Sequence, residues 1–137
     1  MMDDAAFKKM MIGDEDLRLK PYYDKKGKIS IAIGRNLTDN GLRPIEVDFL
    51  FSNDLADTKK ELNLAIPWWV GLSNNRQMVL ANMAMNNGMP HLLGFKKMLA
   101  AAKAGRYKEA AAEILDSEAA RDAPDRYHRL ASMMAVG

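Results

Sequence analysis

One stretch of this 137-residue chain reads as a β-hairpin, and the rest must be arranged around it. Ile29, Ile31 and Ile33 alternate with Lys28, Ser30 and Ala32, the two-residue period of a half-buried strand. Pro21 biases Lys20 toward an extended conformation and so ends any helix that reaches it. Gly27 suits the left-handed position of a three-residue loop, Lys25-Lys26-Gly27. The spacing therefore predicts an extended stretch at 21–24, a turn, and a strand at 28–34. Asp24 then pairs with Lys28 and Tyr22 with Ser30. Asp24 and Ser30 share one face, about 7–8 Å apart at most, and the isoleucines on the other face are expected to fill a core.

Helical signals dominate the remainder. Asp3 or Asp4 can cap a helix over 4–18, with Ala6, Phe7, Met10, Met11 and Leu17 roughly on one face. Asp39-Asn40-Gly41 reads as a turn. Pro44 opens a long helix to about Leu64 whose apolar set is Ile45, Phe49, Leu50, Leu55 and Leu62. Pro67-Trp68-Trp69 reads as a corner between lobes. Ser73 caps a helix that Gly88 and Pro90 stop, and others cover about 95–104, 107–116 and from Pro124 onward. The fold class is α+β, mostly α: one hairpin and about six helices. Eleven methionines at helical spacing read as core filler.

Composition removes several chemistries. There is no cysteine, so thiol nucleophiles, disulfides and cysteine–zinc sites are excluded. His91 and His128 stand far apart and read as structural or solvated, so neither a metal nor a cofactor is expected. Residues 1–68 carry 11 basic and 12 acidic side chains, and residues 69–137 carry 9 and 6. Lys96, Lys97, Lys103, Arg106 and Lys108 form a basic run that reads as a solvated face, the alternative being attraction to a polyanion. No aromatic–basic interleaving points to nucleic acid. No apolar run approaches the ~20 residues that span a bilayer, and the charged N-terminus lacks a signal-peptide core. Cytoplasmic synthesis without stable membrane insertion is the expectation.

The chemistry concentrates in Glu15, Asp24 and Ser30. Cleavage of a glycosidic bond needs one carboxyl to protonate the leaving oxygen and a carboxylate acting from the other side. Glu15 falls at the negative end of its helix dipole between Asp14 and Asp16, surroundings that favour a proton donor. Asp24 lies in a turn rich in lysine, which favours its charged form. Opposite environments for two carboxyls are what an acid/base pair requires. The spacing by itself also suits a lytic transglycosylase, which needs only the glutamate, a non-catalytic wall-binding or virion module, or a helical interaction domain.

The stretch Glu15 to Leu37 resembles the phage-type lysozymes, glycoside hydrolase family 24. The resemblance rests on Leu17-Arg18-Leu19-Lys20, a tyrosine, Asp24, a glycine turn and Ser30-Ile31-Ala32-Ile33-Gly34. It continues through Asn82-Met83-Ala84-Met85-Asn86-Asn87-Gly88, Gly94-Phe95, Gly105-Arg106-Tyr107-Lys108-Glu109-Ala110-Ala111, Arg126 and Arg129, covering roughly residues 7–136. It implies one lysozyme-like domain over 1–137. A hairpin-containing lobe at about 14–65 and a helical lobe of 1–13 plus 66–137 would be joined by the long helix, with a cleft between. It implies hydrolysis of the β-1,4 bond between N-acetylmuramic acid and N-acetylglucosamine in bacterial peptidoglycan. Glu15 would be the general acid, with Asp24 and Ser30 activating a water, inverting if the carboxyls stand about 6.5–9.5 Å apart. Arg126, Asn36 and Met85 would bind substrate. A monomer, reaching the wall by a holin-type route, is expected. Three positions depart from the family pattern: Ala32 where glycine is usual, Asn87 where a large apolar residue is usual, and Glu118-Ala119 in place of a pair such as Lys-Trp.

Overall fold

The computed structural model describes residues 1–137 and is mostly helical, with one three-stranded antiparallel sheet in the order β1-β2-β3. The chain divides into two compact units, Met1–Phe49 and Leu50–Gly137. The first unit includes the N-terminal helix. The boundary falls inside the long helix.

The first unit opens with helix α1, Asp4–Glu15, capped by Asp3, whose Oδ1 accepts from the N–H groups of Ala5 and Ala6 at 3.1 Å each. The helix stops three residues short of the expected Arg18. Asp16 takes φ 63° and ψ 156°, a region almost reserved for glycine, and this turns the chain. Strand β1, Arg18–Tyr23, follows at once, so Pro21 lies within a strand rather than just beyond a helix. With no N–H to offer the ladder, Pro21 sits where the pairing with β2, Ile29–Ala32, shifts register between Arg18 and Tyr22.

Beyond this bulge the register is the expected one, Tyr22 opposite Ser30. The expected strand over 28–34 instead divides. β2 ends at Ala32, and β3, Arg35–Asn36, returns along it with Ser30 opposite Asn36 and Ile31 opposite Arg35. Asp39-Asn40-Gly41, expected as a turn, is the end of the short helix α2, Leu37–Asn40, and its Gly41 cap.

The expected burial of the hairpin is inverted. Ser30 is the buried residue of the first unit at 4 % exposure, whereas Ile29 is exposed and Ile31 and Ile33 are half-buried. Alternation fixes which residues share a face; it does not fix which face the rest of the fold covers.

Helix α3 covers Pro44–Ala65, close to the expected span, and contributes Leu62 to the core. The second unit then adds a 3-10 helix at Pro67–Gly71, α4 at Asn74–Asn87, α5 at Met89–Leu93 and α6 at Lys96–Lys103. It ends with α7 at Tyr107–Leu115, α8 at Glu118–Asp122 and α9 at Pro124–Val136. The count of about six helices misses α2, α5 and α8, each four or five residues long.

The tryptophan corner lies inside this unit. Trp69 is buried, and its Nε1 donates to Asn63 Oδ1 at 2.7 Å. Ser73 caps α4 as expected by accepting from the Arg76 N–H. Leu62, Ile66, Val79, Leu80, Leu92, Ile114, Tyr127 and Leu130 form the core with Met83, Met89, Met98 and Met134, so four of the methionines are the filler expected. No helix is long and apolar enough to cross a membrane.

Arg76 staples three helices of this unit. From α4 its Nε donates to Met134 O at 2.7 Å and its Nη2 to Ala135 O at 3.1 Å, meeting carbonyls that the end of α9 leaves unpaired. The same guanidinium lies 3.4 Å from the Tyr107 ring centroid on α7. Charge-assisted bonds and a partly desolvated cation–π contact together suggest that Arg76→Ala lowers stability by about 2–3 kcal/mol. Chemical denaturation with an unchanged slope checks this, and Arg76→Lys should recover part of the loss.

Candidate active site

Asp24 closes the hairpin with its own side chain. One carboxylate oxygen, Oδ1, accepts from the backbone N–H groups of Lys26 and Lys28, both at 2.8 Å. Its backbone N–H donates to Lys28 O at 2.8 Å and its carbonyl accepts from Gly27 at 3.1 Å. An aspartate that bonds the backbone of its own turn suits this position better than most residues. The other oxygen, Oδ2, is left without a protein partner. Ser30 sits on the central strand between Tyr22 and Asn36, buried on the face it shares with Asp24.

Glu15 is the last residue of α1 and is exposed, with neither a hydrogen bond nor an ion pair. Its side chain lies against Gly34 in the turn between β2 and β3. A β-carbon built there would stand 3.2 Å from Glu15 Oε2 and 3.3 Å from both Cδ and Cγ. The fold of the first unit thus gathers Glu15, Asp24 and Ser30 onto one small sheet and the helix end beside it.

Asn36 bonds the short helix that follows it. Its Oδ1 accepts from Asp39 N at 3.0 Å and its Nδ2 donates to Asp39 Oδ2 at 2.8 Å, capping α2. Met85 and Arg126 belong to the second unit. Met85 lines a cavity of about 260 Å³ with Asp54, Asp57, Thr58 and Glu61. Arg126 is half-buried in the first turn of α9. His91 stacks edge-on against Phe95 at 5.2 Å, with Nε2 3.4 Å from the Tyr127 hydroxyl, while His128 is exposed. No three histidine, aspartate or glutamate side chains gather to hold a metal.

Two ion pairs hold the site's frame, and the residue pattern gave no sign of either. Lys28 Nζ meets Asp39 Oδ1 at 3.0 Å, which ties the hairpin to α2. Arg35 pairs with Glu46, tying β3 to the first turn of α3, where Glu46 also accepts from Arg43 N–H at 2.7 Å in a capping-box arrangement. The Arg35 guanidinium holds the Glu46 carboxyl below the usual carboxylate range, helped by the Arg43 N–H. The hydrogen bond from Lys28, then that from Asn36, does the same for Asp39.

The departures from the family pattern leave physical traces. Ala32 sits at φ 62°, the left-handed region that glycine enters without a steric penalty. Ala119 lines two adjoining clefts of about 480 and 610 Å³, and Asn87 lines the larger.

Known proteins resemble the chain along nearly its whole length. Two Dictyostelium discoideum proteins, named probable T4-type lysozymes 1 and 2, are 27% and 26% identical to the chain. Each match covers 97% of the chain and 95% of the relative. The chain is similar to T4-type lysozymes along nearly all of its length. It is also 29% identical, over 93% of its length, to the pre-baseplate central spike protein Gp5 of Enterobacteria phage T4, and it spans 27% of that protein. No family model matches the chain.

Ala32 and Asp16 are the two non-glycine residues at positive φ. Replacing Ala32 with Gly should raise stability by about 1 kcal/mol as the strain is released, read as a higher urea midpoint at unchanged slope. The lowered carboxyls give a second outcome. Their stabilisation is fully present above the ordinary carboxylate value of about 4 and is lost as pH falls through the lowered values. Glu46→Gln should therefore be less stable than wild type at neutral pH and lose less stability on acidification, as measured by unfolding midpoints across the acid range.

Proposed function

We propose that this chain is a muramidase that hydrolyses the β-1,4 bond between N-acetylmuramic acid and N-acetylglucosamine in bacterial peptidoglycan. The observation that carries the reading is the pairing of two differently held carboxyls in a chain similar to T4-type lysozymes along nearly all of its length. Asp24 has one oxygen fixed by two amides and the other free. Glu15 is exposed at a helix end. In this reading Glu15 donates its proton to the leaving oxygen as the bond breaks. The free oxygen of Asp24 orients a water and accepts its proton as that water attacks the anomeric carbon, with Ser30 on the same strand face as a further polar contact. Synthesis in the cytoplasm and delivery to the wall by a holin-type route belong to the same proposal.

A lytic transglycosylase would cut the same bond with the glutamate alone and leave an anhydro sugar. The turn built around Asp24 favours hydrolysis, since a carboxylate oxygen held free and fixed is what water activation uses.

Digestion of purified peptidoglycan, followed by mass spectrometry of the fragments, tests the reading. Wild type should release reducing, non-anhydro muropeptides, and Glu15→Gln should cut the rate by roughly 10²–10⁴-fold while unfolding at the wild-type midpoint. Mainly anhydro products would overturn the hydrolase, and an undiminished rate in Glu15→Gln would overturn the assigned acid.

A further inference from the structure

We propose that Gly34 is a positioning residue that sets where the Glu15 carboxyl points; the functional consequence rests on the muramidase reading above. Glu15 has three side-chain torsions to settle, stands at the end of its helix, and receives no hydrogen bond or ion pair to settle them. Packing is what remains, and the turn between β2 and β3 supplies it. A β-carbon at residue 34 would stand 3.2–3.3 Å from Cγ, Cδ and Oε2 of Glu15. Three consecutive atoms at nearly one distance mean that this edge of the side chain lies along the bare Cα of Gly34. Any other L-residue would place a carbon inside that contact and push the carboxyl off by a few tenths of an ångström or into another rotamer.

The backbone imposes the same choice independently. Gly34 has φ +74°, so a side chain there is strained as well as crowded. The two effects can be separated because the fold contains a matched glycine. Gly105, after α6, has φ +77° and nothing within 4 Å of a β-carbon built on it. Gly105→Ala thus carries the backbone strain alone, whereas Gly34→Ala carries the strain and the collision with Glu15.

A general acid works only within hydrogen-bond reach of the leaving oxygen, and a misplacement of about 1 Å can cost ~10²-fold. Gly34→Ala should therefore lower kcat on peptidoglycan by roughly 10–100-fold with little change in KM. It should also move the Glu15 carboxyl resonance, read by carbon-13 NMR on the whole chain. Gly105→Ala should lose comparable thermal stability and move neither. Preparing Gly34→Ala also in the Ala32→Gly background keeps a folded protein in hand. A Glu15 resonance that Gly34→Ala moves no more than Gly105→Ala does would overturn the positioning role, whatever the activity. A displaced resonance in a protein whose wild type cuts no peptidoglycan would leave the positioning standing and overturn the muramidase reading.

Discussion

The arrangement of the first unit depends on one carboxylate oxygen. By taking the amides of Lys26 and Lys28, Asp24 Oδ1 fixes a turn in which three residues separate Asp24 from Lys28. That turn sets the register, and a slip of one residue would move every side chain of β2 to the opposite face. With Tyr22 held opposite Ser30, the hydroxyl comes to lie between two strands, and β2 ends where the next turn must begin. The next turn carries Gly34, and Gly34 meets Glu15. A residue read as catalytic is thus also the residue that builds the site. Its two oxygens divide the labour, one bonded into the turn and one free.

The backbone around these groups is not relaxed. Asp16, directly after Glu15, and Ala32, two residues after Ser30, both occupy conformations that glycine enters more readily. Strain of this kind persists where surrounding structure over-determines it, and it gathers at functional sites. Here the surrounding structure is on hand: Lys28 with Asp39, Arg35 with Glu46, and the Ile29 N–H donating to Thr38 Oγ1 at 2.8 Å. Each contact ties a strand of the sheet to the segment after it, so the strained turn cannot unwind locally without breaking them.

What was legible in the sequence followed from local rules. Asp3 and Ser73 as caps, Pro44 as a first helical residue and Gly27 as the left-handed loop position each act through their own backbone, so neighbouring letters suffice to read them. The hairpin register was legible for the same reason. Short helices such as α5 and α8 were not, since five residues give no period to detect. The burial of Ser30 in place of the isoleucines was equally hidden, because a pattern of alternation is symmetric between its two faces. Arg76 bonds to carbonyls 58 and 59 residues away, and no local rule reaches that far. Asn36, three residues before Asp39, bonds it through both ends of its amide, a local cap that neighbouring letters could also have shown.

The two carboxyls are also held by different physics, and the difference fits their proposed roles. Amide donors aimed at a carboxylate favour its charged form. Asp24 has two such donors on one oxygen, which fix the direction of the other oxygen toward the water of the proposal. An acid that must carry a proton into the reaction gains nothing from such donors, yet it still has to be aimed. Contact with an uncharged surface achieves this, since packing orients a side chain without donating to it. The bare Cα of Gly34 is a surface of that kind, and only a glycine presents it at that distance.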